Sequence, residues 1–86
     1  MTNVVRNPFE KAAMERLRRL EAFAEDAYDR MYDAGNPSGA TALYSDAKEA
    51  LYEAIGLAKR LCRADDAARL EARLAHIKAV FRSQFT

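Results

Sequence analysis

The sequence predicts an all-α protein folded as an antiparallel three-helix bundle, and three apolar patterns support this prediction. Two ladders of apolar residues run in a 4-3 rhythm, which places every member of a ladder on one seam of a helix. The loop 35–39 (GNPSG) between them predicts that the two helices fold back on each other. A third apolar stripe ends with the chain. The three sets are Ala13, Leu17, Leu20, Ala24, Ala27, Met31 and Ala34; Ala40, Tyr44, Ala47, Leu51, Ala54, Ala58 and Leu61; and Ala67, Leu70, Leu74, Ile77, Phe81 and Phe85.

The first helix is predicted over residues 8–34. Asn7 suits an N-cap, Pro8 suits the first helical position, and Glu10 is placed to complete a capping box. Gly35 predicts a left-handed stop. Residues 1–6 are expected to be flexible, so that a single domain spans residues 7–86.

The second helix is predicted over residues 38–62, with Ser38 or Asn36 as its cap. Gly56 weakens the helix relative to alanine and predicts a close approach of a neighbouring helix. Cys62 is the only cysteine, which excludes an internal disulfide. Its position at the end of the ladder predicts a small buried hydrophobe in a reducing compartment.

The third helix is predicted over residues 66–84, because the carboxylates of Asp65 and Asp66 suit a helix N-terminus. No glycine or proline lies between Cys62 and Asp65. The second and third helices could therefore fuse into one long rod. The bundle is favoured because three short-linked stripes can bury one another, whereas a rod needs a second chain.

Composition narrows the class of protein. The 86 residues suffice for one small domain, and half of them are hydrophobic while 31% are charged, as in a helical, water-soluble protein. The net charge of +1 removes the main electrostatic drive toward nucleic acid. No apolar run reaches the ~20 residues of a membrane span, and the N-terminus has no apolar core typical of a signal peptide. A cytoplasmic location is the default expectation.

The segment 44–57 (YSDAKEALYEAIGL) alternates small with aromatic or aliphatic residues, and residues 32–36 (YDAGN) precede it. In these features the chain resembles a tetratricopeptide repeat, with the second helix of the repeat at 44–57. With its third helix the chain is also similar to the microtubule-interacting-and-trafficking type of three-helix bundle. The resemblance implies a helical module that binds peptides or partner helices and catalyses nothing.

The residues offer little for catalysis or cofactor binding. His76 is the only histidine, its neighbours are cationic, and we expect it at the surface. No glycine-rich phosphate loop occurs, and loop 35–39 has no following lysine and hydroxyl residue. The sequence therefore predicts a non-enzyme with no cofactor and no metal.

Charge is expected to divide the bundle into two ends. The loop end should be acidic and should hold all four tyrosines, whereas the opposite end should be basic. The candidate partner-binding residues at the acidic end are Tyr28, Asp29, Tyr32, Asp33, Asp46 and Glu49; the candidate anion-binding residues at the basic end are Arg16, Arg18, Arg19, Lys59, Arg60 and Arg63. Tyr44 is expected to be buried, and Tyr28 and Tyr32 to be exposed.

These patterns favour a protein–protein interaction module that binds a partner helix or basic segment on the acidic, tyrosine-rich end. The alternative is an accessory protein that binds nucleic acid or an anionic surface with the basic end. A small metal or ligand carrier comes third, since two facing acidic stripes could hold a divalent cation. Self-association as a homodimer is also predicted, because Phe9 and Ala13 lie where the first helix outruns its neighbours.

Overall fold

The computed structural model of the chain describes residues 8–85 and confirms the three-helix bundle. The helices are α1 (Pro8–Met31), α2 (Pro37–Arg60) and α3 (Ala64–Gln84). They run up, down and up, and α2 packs against both neighbours. The bundle is an elongated body of 48 × 19 × 18 Å. No helix within this part of the chain is long and apolar enough to cross a membrane.

The apolar ladders form the core, as their spacing predicts. Every member of the three sets is buried or partly buried, and Leu17, Met31, Leu51, Leu70 and Ile77 are the largest side chains that lose all or nearly all contact with solvent. Because each helix buries one stripe against the other two, the bundle encloses its core without a second chain.

The connection between α1 and α2 differs from the sequence prediction in where α1 ends and in how it ends. Helix α1 ends at Met31 rather than at residue 34, and Gly35 does not adopt a left-handed φ, so its predicted role as a stop is wrong. The last turn instead closes with i→i−3 hydrogen bonds of 3.1–3.3 Å, which satisfy terminal carbonyls without a left-handed residue. Asn36 is the N-cap of α2 and its Oδ1 accepts a hydrogen bond of 2.7 Å from the Gly39 N–H, which confirms one of the two predicted caps.

The second turn separates α2 from α3 and rules out the rod. Cys62 has a φ of +59°, and this left-handed residue reverses the chain. The N–H of Cys62 donates to the Lys59 carbonyl (3.0 Å) and that of Arg63 to the Ala58 carbonyl (2.9 Å). This pair of bonds is a Schellman motif, in which a non-glycine residue occupies the position that usually holds glycine. Cys62 is exposed, so the prediction that it is a buried hydrophobe is wrong.

Gly56 does not mark a close approach between helices. A Cβ built at this position would meet only the Nη1 atom of Arg60, at 3.7 Å, which is ordinary contact with the end of a flexible side chain. The close approach occurs elsewhere, at alanines. Predictions for Asn7 and for the flexibility of residues 1–6 lie outside the described residues.

Helix α1 meets its two neighbours in different ways. Seven of the thirteen buried residues of α1 and α2 are alanines, and we call the five least exposed of them the alanine seam: Ala24, Ala27, Ala47, Ala54 and Ala58. The backbones of α1 and α3 approach each other at few points. Long charged side chains span that gap, and we call this set the arginine seam: Glu21, Glu25, Arg69 and Arg73.

Candidate interaction surface

The end of α1 and the turn that follows it carry acidic and aromatic residues that the sequence marks as a partner site. Asp29, Tyr32 and Asp33 are all exposed. Tyr28 is not, since only 8% of its surface is accessible, and the prediction that it is exposed is wrong. The apolar stripe of α1 is wider than a strict 4-3 seam, because α3 covers the side of the helix on which Tyr28 lies. Its ring contacts His76 edge-on, with ring centroids 6.3 Å apart.

Tyr32 is half-exposed yet held in place by other rings. Its accessible fraction is 51%, as the sequence leads us to expect. Tyr28 contacts it edge-on with ring centroids 5.6 Å apart, and Phe85 does so from the end of α3 at 5.4 Å. The hydroxyls of Tyr28 and Tyr32 share a hydrogen bond of 3.1 Å. These contacts hold the Tyr32 ring while about half of the residue stays open to solvent.

The other three tyrosines each have a cation over the ring. Lys48 Nζ lies 4.8 Å from the Tyr44 centroid, the Arg73 guanidinium 5.0 Å from that of Tyr28, and Lys78 Nζ 5.0 Å from that of Tyr52. No cation within residues 8–85 lies over the ring of Tyr32. The Lys48–Tyr44 spacing of i, i+4 could have been read from the sequence, but the other two contacts depend on how the helices pack.

Tyr44 is partly buried rather than fully enclosed. Its ring stacks on Phe81 with centroids 3.9 Å apart and an interplanar angle of 4°. Phe81 in turn stacks on Phe85 at 5.8 Å. The stacked rings of Tyr44, Phe81 and Phe85 therefore continue to the Tyr32 ring.

The carboxylates beside Tyr32 have no counter-charge in hydrogen-bonding or ion-pair contact. Neither Asp29 nor Asp33 makes a hydrogen bond or ion pair with a side chain anywhere in residues 8–85. We call Asp29, Tyr32, Asp33 and Phe85 the Tyr32 face. It combines an anchored aromatic ring with two carboxylates that make no ion pair, Asp29 in the last turn of α1 and Asp33 in the turn that follows the helix.

The acidic residues of α2 belong to a different surface. Asp46, Glu49 and Glu53 follow 3-4 spacing, and Glu53 forms an ion pair with Arg16 of α1, so this stripe borders the boundary between α1 and α2. Asp46 is nine residues into α2, or about 14 Å along its axis from the loop. Asp46 and Glu49 are exposed and make no ion pair within the described chain, but they do not complete the Tyr32 face.

Half of the predicted basic set is neutralised by internal ion pairs. Three of its six candidate residues are engaged: Arg16 with Glu53, Lys59 with Glu71 at 3.1 Å, and Arg63 with Asp66 at 2.5 Å. The other three make no ion pair among residues 8–85, and these are Arg18, Arg19 and Arg60. The predicted set therefore consists of three residues held in internal ion pairs and three that make none within the described chain.

Ion pairs in and beside the arginine seam shift pKa values in the direction that pairing of opposite charges dictates. Hydrogen bonds from Arg63 and then from Arg69 lower the pKa of Asp66 below its ordinary value of 3.8. Bonds to Glu25 raise the pKa of Arg73, which donates to both oxygens of that carboxylate at 2.6 and 2.7 Å. These groups stay ionised at neutral pH and act as structural pairs.

Two tyrosines have shifted pKa values for opposite reasons. The hydrogen bond with Tyr32, followed by burial, raises the pKa of Tyr28. The hydrogen bond that Lys78 donates to the Tyr52 hydroxyl, 2.6 Å long, lowers the pKa of Tyr52. Both shifts arise from hydrogen bonds to neighbouring side chains.

The described residues assemble no metal site. No group of three histidine, cysteine or acidic side chains in residues 8–85 lies close enough to share a metal ion. His76 is exposed, as expected, and its ring faces Tyr28. A scan against protein-family models, a search of curated proteins and a search of solved structures each returned no match.

Proposed function

We propose that this chain is a non-enzymatic docking module that receives a basic helix or peptide segment on the Tyr32 face. One observation carries the proposal. Among the four tyrosines, Tyr32 is the one with no cation on its ring within residues 8–85, although it is half-exposed and flanked by two carboxylates without an ion pair.

The chemistry of this face suits a lysine or arginine. A cation over an aromatic ring contributes about 0.5–1 kcal/mol at an exposed site and about 2 when the pair is desolvated. Asp29 lies three residues before Tyr32 and Asp33 follows it directly, so both negative charges are close in sequence to a cation placed over the ring. Because neighbouring rings already hold Tyr32, little side-chain entropy remains to be lost on binding.

A depression next to this face offers room for an apolar side chain of the same partner. It adjoins the ring through Phe85, and its lining is Ala34, Gly35, Asn36, Pro37, Ala40, Gln84 and Phe85. A helical ligand with a basic residue and an apolar residue one turn apart matches the two features together. The resemblance to peptide-binding helical repeats agrees with this proposal in kind.

Titration with a synthetic amphipathic helical peptide of lysine and leucine tests the proposal. Amide shifts in the protein NMR spectrum should move at Asp29, Tyr32 and Asp33, and a matched peptide with glutamate in place of lysine should leave them unchanged. The variant Asp29→Asn/Asp33→Asn should weaken binding about tenfold or more, since it removes two charges next to the ring.

A matched variant supplies the control. Asp46→Asn/Glu49→Gln removes the same charge from the other acidic surface and should change affinity less than about twofold. Equal loss in both variants would mean that net charge alone attracts the peptide, and it would overturn the assignment of this face. Retained binding by Tyr32→Leu would likewise remove the ring from the proposal.

A second candidate function uses the basic end. Arg18, Arg19 and Arg60 have no ion-pair partner within residues 8–85 and could contact phosphates of nucleic acid or an anionic surface. A charge of this size predicts binding that falls steeply with salt. Absence of binding to duplex DNA and to anionic vesicles at low salt would eliminate it. A metal carrier is the weakest candidate, and the cytoplasmic location stays a prediction.

A further inference from the structure

Helix α1 carries a second regular stripe on the side that faces away from α2 and α3. Its members follow helical spacing and are all exposed. We call this stripe the α1 outer face: Glu15, Arg19, Ala22, Phe23, Asp26 and Arg30. Phe23 stands at the middle of the stripe with 53% of its surface accessible, next to the small Ala22. Charged residues lie on both sides of this apolar centre.

The charges of the α1 outer face complement themselves in one register. The point between Ala22 and Phe23 is equally distant from Arg19 and Asp26, and it is also equally distant from Glu15 and Arg30. When two copies of α1 are laid antiparallel about that point, Arg19 meets Asp26 of the other copy and Glu15 meets Arg30. A single two-fold axis therefore aligns four oppositely charged pairs around an apolar centre.

The parallel arrangement is unfavourable for the same reason. It would place Arg19 against Arg19 and Asp26 against Asp26, and such like-charge contacts oppose association. The order of charges along the α1 outer face therefore favours a second copy of the chain, with its α1 helix antiparallel to the first.

We propose that two copies of this chain associate through the α1 outer face as an antiparallel, two-fold symmetric dimer. Phe23 and Ala22 of the two copies cover each other at the centre, and the charged pairs close the edges. This interface differs from the one that the sequence suggests through Phe9 and Ala13, because Ala13 already packs against the core.

The intramolecular contacts leave these charges available. Asp26 and Arg30 form an i, i+4 pair at 3.6 Å, but both side chains are about two-thirds exposed and such a pair contributes little. Glu15 and Arg19 make no ion pair within residues 8–85. One helix face of modest apolar content predicts a weak dimer, with a dissociation constant on the order of micromolar and strong dependence on salt.

Charge reversal tests the dimer by sedimentation equilibrium at low salt. Arg19→Asp and Asp26→Arg, each alone, should raise the dissociation constant about tenfold or more, because each turns two attractive pairs into repulsive ones. The double variant Arg19→Asp/Asp26→Arg restores opposite charges across the antiparallel axis and should return the constant to within about threefold of wild type.

The double variant separates the outcomes sharply. A parallel dimer would gain nothing from the swap, so failure of rescue in a folded protein overturns the antiparallel register. A wild-type chain that stays monomeric at low salt up to high micromolar concentration overturns the dimer itself. Both positions are exposed, so each variant is expected to fold. Circular dichroism checks this for every variant.

Cross-linking gives an independent test of geometry. In a Cys62→Ser background, Ala22→Cys should form an intermolecular disulfide under mild oxidation, because the two-fold axis brings this position beside its own copy. Ala72→Cys, on the exposed side of α3, is the matched control and should not. Equal cross-linking of the two variants would show random collision and overturn the assignment.

Discussion

The two sides of α1 hold their neighbours by different physics. Along the alanine seam, side chains such as Ala24 and Ala47 have no exposed surface, so helices α1 and α2 come close and dispersion contacts dominate. Along the arginine seam the backbones stay apart, and paired charges such as Arg73 and Glu25 span the gap. The size of the facing residues thus decides whether a boundary is fixed by packing or by charge.

Enlarging one alanine should break the first boundary and give the largest effect. Ala47→Leu adds three carbon atoms where there is no free surface, and we expect a loss of about 1–3 kcal/mol in the free energy of unfolding. Urea denaturation followed by circular dichroism measures it. Ala68→Leu, on the exposed side of α3, is the control and should stay within about 0.5 kcal/mol of wild type. Equal effects would contradict close packing at the seam.

A double-mutant cycle should resolve the second boundary with a smaller effect. Glu25→Gln and Arg73→Met, singly and together, isolate the coupling between the two groups from the cation–π contact that Arg73 makes with Tyr28. Since both side chains are about one-third exposed, we expect a coupling of about 0.5–1 kcal/mol at low salt. In about 0.5 M salt the coupling energy between Glu25 and Arg73 should shrink, whereas the loss of unfolding free energy caused by Ala47→Leu should not. A coupling insensitive to salt would refute the contrast.

The pH dependence of stability should show the smallest effect, at the end of the arginine seam. The pKa of Asp66 is lowered in the folded chain by hydrogen bonds from Arg63 and Arg69. Its stabilisation is therefore complete above the unfolded value near 3.8 and is lost as the pH falls through the lower folded value. Thermal unfolding from pH 5 to about 2 should fall less steeply for Asp66→Asn than for wild type. Identical slopes would mean that this carboxylate is not stabilised by its neighbours.

Periodic features of the sequence predicted the helices and the core, because helical spacing is a local property. Asn36 was also predictable as a cap, since its side chain needs only the next turn of backbone. The left-handed conformation of Cys62 was not predictable, because glycine usually occupies that position. Here the hydrogen bonds of a Schellman motif hold a non-glycine residue in it. The predictions of a close helix approach at Gly56 and of an exposed Tyr28 were wrong for another reason. The surroundings of both residues depend on how the helices are rotated against one another.

The same distinction applies to the candidate site. Asp29 lies in the last turn of α1, and Tyr32 and Asp33 follow within four residues, so their proximity follows from spacing alone. Asp46 and Glu49 belong to α2, and their distance from the others depends on the rotation and offset between two helices, which the ladders leave undetermined. The contact between the rings of Phe85 and Tyr32 likewise depends on how α3 is placed against α1.

The order of the helix contacts also bears on how fast the chain folds. Because α2 packs on the helices directly before and after it in sequence, and α1 and α3 touch mainly through side chains, the relative contact order is low. Short turns bring successive helices together with little loop-closure entropy. A bundle of this topology is expected to fold within microseconds to milliseconds, so its hydrophobic stripes are exposed only briefly when the unfolded chain is returned to folding conditions.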